Sequence, residues 1–147
     1  MEKELNLFKG LFQPFQNIAI LHINNGIEFL NPVIEEVANS LEGNINYIKF
    51  VDENSAKLRA TAREFEYIIL SDILFHCPNR DKVIKVMYKA LENSANIVIL
   101  EKKSNDNLEE IKTLLDKTSF VAINNIDLFE DYHLITAKKL HMWGSGL

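Results

Sequence analysis

Polar residues capable of chemistry close four of the apolar runs in this chain. His22-Ile23-Asn24-Asn25-Gly26 ends the first run, and Asp52-Glu53 ends the second. Ser71-Asp72 ends the third with His76 close behind, and Glu101 ends the fourth. Glycine lets a backbone approach a ligand at positive φ, and asparagine tolerates left-handed backbone better than most residues, so Asn24, Asn25 and Gly26 suit a ligand-side turn. An imidazole's ordinary pKa near neutrality suits a general base, so His76 is a candidate for that role, and a surface-loop histidine is its other reading. Asp52 reads as a ligand-binding acid or as a helix cap. Cys77, the single cysteine, reads as a small buried filler and excludes an intrachain disulfide.

These positions acquire meaning from the elements around them. The apolar runs Asn17–Ile23, Ile45–Val51, Glu66–Asp72 and Asn96–Leu100 read as strands, the first typical of burial on both faces. Between them, helical spacing appears over Pro32–Leu41, which Glu42-Gly43-Asn44 ends with a glycine stop, and over a segment starting at Asp81. Asn54 or Ser55 could cap a further helix through Ala62, and Asn107–Lys117 is helical by its leucine and isoleucine spacing. Two final strands, Phe120–Ile123 and Tyr132–Ala137, have no helix between them and should pair antiparallel. Leu5, Phe8, Leu11, Phe12 and Phe15 predict a short amphipathic helix over Leu5–Phe15, closed by Pro14 and packed on the domain.

Strands alternating with helices imply an α/β, Rossmann-like three-layer sandwich. It would have about six mainly parallel strands and an antiparallel C-terminal strand. In such sheets ligands bind beyond the carboxyl ends of the strands, where strand order reverses. Residues 1–147 read as a single domain, with 1–16 as an N-terminal helical extension. The 147-residue length supports a core without metals or disulfides. A net charge of −5 argues against a broad nucleic-acid footprint. No apolar run reaches the roughly 20 residues of a bilayer span, and no basic-then-apolar leader opens the chain, so a cytoplasmic location is expected. His22, His76, His133 and His141 are scattered without metal-ligand spacing, and no metal is expected. Lys102-Lys103 and Lys138-Lys139 read as solvated pairs.

The run from Tyr67 to Asp81, continued through Leu91–Glu101, resembles the fourth-strand motif of class I S-adenosylmethionine-dependent methyltransferases and the element after it. The terminal helix-strand-strand arrangement is also similar to that family. The resemblance extends over nearly the whole chain from Asn17. It implies S-adenosylmethionine as cofactor, with His22 to Gly26 passing beneath its methionine part. It implies that Asp52 accepts the ribose hydroxyls, since a carboxylate's two oxygens suit a vicinal diol. Ser71 and Asp72 would line the methyl-transfer cleft, so the cofactor-binding set is His22, Asn24, Gly26, Asp52 and Ser71. Asp72 and His76 are the catalytic candidates. Three departures accompany the resemblance. The turn has one glycine, His22 replaces the acid that would capture the cofactor's amino group, and the family's third strand has no counterpart between Asp52 and Tyr67, so the resemblance implies the strand order 2-1-3-4-6-5. Two functions follow as expectations: an active methyltransferase of unknown acceptor, or a catalytically inactive binding or scaffold subunit of the same fold. The second would dimerise or meet a protein partner through Phe8 or Phe12 of the N-terminal helix, or through Trp143 of the tail. A nucleotide or dinucleotide in the same cleft is a third expectation, opposed by the lack of spaced glycines.

Overall fold

Two-residue alternation along the central strands decides which helices cover which side of the sheet. The computed structural model describes residues 1–56 and 62–140. In chain order these contain α1 (Glu2–Lys9), β1 (Ala19–Asn24), α2 (Asn31–Ser40), β2 (Asn44–Lys49), β3 (Phe65–Ser71), α3 (Arg80–Ala90), β4 (Leu91–Lys102), α4 (Leu108–Lys117), β5 (Phe120–Ile126) and β6 (Tyr132–Lys139). Strand order is β2-β1-β3-β4-β6-β5, the order that the family resemblance implies. The first four neighbours run parallel, and β6 is antiparallel to both β4 and β5. The helix expected through Ala62 and the Trp143 tail fall largely outside the described residues; residues 53–56 form a short 3-10 turn.

Leu21, Ile23, Ile68, Leu70, Ile97 and Ile99 point to one face, where Val83, Ile84 and Met87 of α3 and Ile111 and Leu115 of α4 cover them. Ile18, Ile20, Tyr67, Ile69, Val98 and Leu100 point to the other, beneath α1 and α2. Continuing that alternation puts His22, Asn24 and Ser71 on the α2 side. This parity decides their partners.

The N-terminal helix is shorter than its apolar spacing suggests. It ends at Lys9, with Gly10 at its C-cap, rather than running to Pro14. The next residues are captured by the Tyr67 hydroxyl, which accepts from Gln13 N–H (2.8 Å) and donates to Leu11 O (3.2 Å). Phe12 still packs on Tyr67, ring centres 4.7 Å apart, so the apolar pattern persists along a non-helical path. Phe8 is fully buried, with its ring against Phe12 and Phe129, and is therefore no contact for a second protein. The expectation of a partner-binding surface at Phe8 is corrected accordingly.

β4 begins at Leu91, five residues before the expected Asn96, because α3 runs straight into it. Phe65 pairs with Leu91 but Tyr67 pairs with Asn96, so the extra β4 residues bulge out, with Ser94 at φ +65. The glycine stop after α2 also works differently from a left-handed cap. Glu42 takes the positive φ (+53), while Gly43 is needed for close approach: a Cβ there would sit 2.2 Å from the Ile18 carbonyl oxygen. That contact is with backbone and cannot be relieved by a rotamer. Gly43→Ala should therefore lower unfolding free energy by about 1–3 kcal/mol, the range for forced overpacking. Urea denaturation followed by circular dichroism measures it, and an unchanged midpoint would contradict the assigned approach.

Candidate functional site

The carboxyl ends of β1, β3 and β4 stand side by side, and the polar residues at these ends hold one another. After β1 the turn is closed by a side chain. Asn24 Oδ1 accepts from Ile27 N–H (2.9 Å), while Asn24 Nδ2 donates to Ile27 O (2.6 Å) and, at 3.2 Å, to the Tyr47 hydroxyl. Asn25 links the turn to β3: its N–H donates to Ser71 O (3.0 Å) and its Nδ2 to Asp72 O (3.1 Å). Gly26 follows at φ +80, and a Cβ built on it would meet nothing within 4 Å. One glycine therefore suffices, because asparagine amides perform the closure.

His22 and Ser71 lie beneath the turn. Both are buried, and His22 Nε2 is 2.8 Å from Ser71 Oγ. The His22 ring also meets the Tyr47 ring edge-on at 5.6 Å. Burial pushes the His22 imidazole down to about 4, so it is neutral near pH 7. A groove of about 390 Å³ opens beside α2, lined by His22, Asn31, Ile34, Glu35, Ile45 and Tyr47. It shares His22 with the turn but includes none of Asp52, Asp72 or Glu101.

Asp52 stands past the end of β2 and is exposed. Its Oδ1 accepts from Asn54 N–H (2.9 Å), and Ser55 Oγ accepts from Val51 and Asp52 N–H, so the acid helps to close the 3-10 turn. Glu53 holds Asn79 through its main-chain N–H (2.5 Å) and Nδ2 (3.0 Å).

The most unusual electrostatics occur at Asp72, whose backbone is left-handed (φ +58) and whose side chain is buried. Asp72 Oδ2 lies 3.6 Å from Lys102 Nζ and 3.8 Å from His76 Nε2; both partners are partly exposed. Glu101, fully buried next to it, accepts from Asn107 Nδ2 (3.0 Å) at Oε1 and from Leu74 N–H (3.1 Å) at Oε2. Burial pushes the Glu101 carboxyl up; the Asn107 bond opposes this and the Asp72 charge adds to it. Three buried side-chain atoms have no hydrogen-bond partner among the described residues: Asp72 Oδ1, Asn105 Nδ2 and Asn107 Oδ1. Burial pushes the Cys77 thiol up to about 11, with Glu53 and Glu101 adding to the effect, which leaves it a poor nucleophile. No group of three His, Cys, Asp or Glu side chains among the described residues is arranged to hold a metal ion.

Of the expected site residues, Asn24, Gly26, Ser71, Asp72 and His76 thus gather at adjacent strand ends. Asp52 stands apart beyond β2, and His22 is buried below, at the wall of the groove beside α2. Sequence reasoning passed over Tyr47, Asn107 and Lys102. Lys102 looks like half of a solvated pair, yet it directly follows Glu101 at a strand end, which is the signal that marks it.

No family model and no curated protein sequence matches the chain. Solved structures do. An S-adenosylmethionine-dependent methyltransferase from Aquifex aeolicus superposes with a TM-score of 0.69 at 12% identity, covering 92% of this chain and 89% of that one. Phosphoethanolamine N-methyltransferase 2 of Haemonchus contortus, in complex with S-adenosyl-L-methionine, gives 0.67 at 14% identity, covering 95% of this chain and 53% of its own. The CurJ carbon methyltransferase gives 0.58 at 12% identity and 88% coverage; this chain spans 50% of its length. The fold is that of the class I methyltransferases, a Rossmann-like α/β sheet. No helix among the described residues is long and apolar enough to cross a membrane.

The His22 environment sets a pH dependence. The folded state holds this histidine near 4 against an ordinary 6.5, so between these values the unfolded chain binds more protons. Its contribution is complete above pH 6.5 and is lost as pH falls toward 4, by up to about 3 kcal/mol. Stability measured by denaturation across this window should fall more steeply for the native chain than for His22→Asn. Parallel slopes would contradict the buried neutral assignment.

Proposed function

We propose that the carboxyl edge of the sheet binds S-adenosylmethionine and that the protein is a methyltransferase whose acceptor lies on the Asp72 and Glu101 side. The turn at Gly26 carries the reading. Its positive φ and the open space where a Cβ would stand suit a backbone that a ligand approaches closely. Asparagine hydrogen bonds hold that turn in place without further glycines. The residues available for the cofactor fit the same direction: Asn24, Asn25 and Gly26 under its amino-acid part, and Asp52 toward the ribose. His22 and Ser71 would act from below by supporting the turn. The cofactor would supply an electrophilic methyl group on a sulfonium. The chain would then contribute chiefly placement and exclusion of water, which can carry much of a transfer reaction.

Across the sheet the order β2-β1-β3-β4 sets Asp52, the Gly26 turn, Asp72 and Glu101 in a row. A cofactor with its ribose at one end of this row would have the rest of the row for its acceptor. Asp72 and His76 are then the side chains nearest to an acceptor proton, with His76 partly open to solvent. The likeness to solved S-adenosylmethionine-dependent enzymes supports the cofactor class.

Calorimetric titration with S-adenosylhomocysteine tests the reading. The native chain should bind it. Gly26→Val should lose binding by tenfold or more, about 1.4 kcal/mol, while remaining folded by circular dichroism. Asp52→Ala should weaken binding by roughly tenfold through loss of the ribose acceptor. Absence of binding at millimolar ligand would sink the proposal.

A further inference from the structure

Asp72 has a buried carboxylate that the protein itself does not satisfy. Its Oδ1 has no hydrogen-bond partner among the described residues, and its Oδ2 meets Lys102 Nζ and His76 Nε2 only at 3.6 and 3.8 Å, beyond hydrogen-bond reach. The neighbouring Glu101 differs, because both of its oxygens are bonded, to Asn107 and to the Leu74 backbone. Glu101 is thus structural and Asp72 is spare. The Asp72 side chain is buried, whereas the lysine nearest to it stands at the rim with its side chain 50% exposed. A second spare acceptor, Asn107 Oδ1, sits on the residue whose amide holds Glu101. A desolvated carboxylate with spare lone pairs requires N–H donors and positive charge.

We propose that Asp72 receives the ammonium group of a ligand, and that Lys102 is the internal stand-in which this ammonium displaces. An ammonium brings three donors and can reach both Asp72 oxygens. Lys102 can yield because its charge rides on a flexible four-carbon stem at the surface. The backbone carbonyl of Asp72 is bonded to Asn25, so the bound group would stand beside the Gly26 turn. The ammonium has two chemical sources, the amino-acid part of the cofactor or an amine acceptor. That choice of source rests on the methyltransferase reading; the cation site does not.

Three probes separate these possibilities on the full chain. S-adenosylhomocysteine carries the ammonium, 5′-deoxy-5′-methylthioadenosine is the same thioether nucleoside without it, and methylammonium is the group alone. The first two are titrated by calorimetry, and methylammonium by NMR with methylthioadenosine present. Asp72→Asn should weaken the ammonium-bearing probe by about fivefold or more, and Lys102→Met should tighten it by about twofold or more, because a competitor is gone. Methylthioadenosine should bind equally to all three proteins. Asparagine tolerates the left-handed backbone at this position and Lys102 is at the rim, so thermal melts should find both variants folded. A response in S-adenosylhomocysteine assigns the ammonium to the cofactor, and one in methylammonium alone assigns it to the acceptor. Equal affinities for native and Asp72→Asn protein, or no binding of either ammonium probe to the native chain, would overturn the proposal. If both nucleosides fail to bind while methylammonium binds through Asp72, the methyltransferase reading falls and the cation site stands.

Discussion

The pair of hydrogen bonds between the Asn24 side chain and the Ile27 backbone is the constraint on which the site depends. It turns the chain from the end of β1 toward α2 without a run of glycines, and it frees Asn25 to tie the turn to β3. The Asn25 bonds in turn fix Ser71 and Asp72 relative to Gly26. Below them the neutral His22 ring fills the space under Asn24 and bonds Ser71, so the turn rests on a buried polar layer rather than an apolar one. Hydrogen bonds within such a layer specify one arrangement more narrowly than packing alone. The reduced glycine count is thus a different solution to closing the turn.

The same layer divides labour between carboxylates. Glu101 accepts from two donors and, through Leu74, holds the short 3-10 helix Leu74–His76 that follows β3, whereas Asp72 stands with acceptor capacity to spare. Two acids on adjacent strand ends, alike in sequence, differ because one meets an amide and a backbone N–H while the other meets only the ends of partly exposed side chains.

Much of the fold could be read from the chain, because β1, β3 and β4 are buried on both faces and announce themselves as continuous apolar runs. The strand order came from the family resemblance, while the missing helix between β5 and β6 by itself gave only their antiparallel pairing. The extent of α1 could not be read, because Phe12 continues an apolar pattern that the Tyr67 hydroxyl redirects from 56 residues away along the chain. The site divides in the same manner. Strand-end positions such as Asp72 and Asn24 follow from topology. The His22–Ser71 bond, the role of Tyr47 and the approach of Lys102 depend on side-chain directions across separate strands, which no local pattern encodes. Asp52 stands just past β2, and its bond from Asn54 N–H is the capping contact, one of its two readings in the sequence.

β2 is the outermost strand on its side, with only Ile45 and Ile48 half-buried and the other four residues exposed. β1 and β3, by contrast, are buried almost throughout. Segments with few buried apolar contacts open locally at lower free energy than the strands they flank. Asp52 hangs from that weaker strand, while the Gly26 turn and Asp72 hang from the stronger ones. The two ends of the row at the sheet's carboxyl edge therefore belong to different cooperative units, one able to fray and re-form while the other holds its shape.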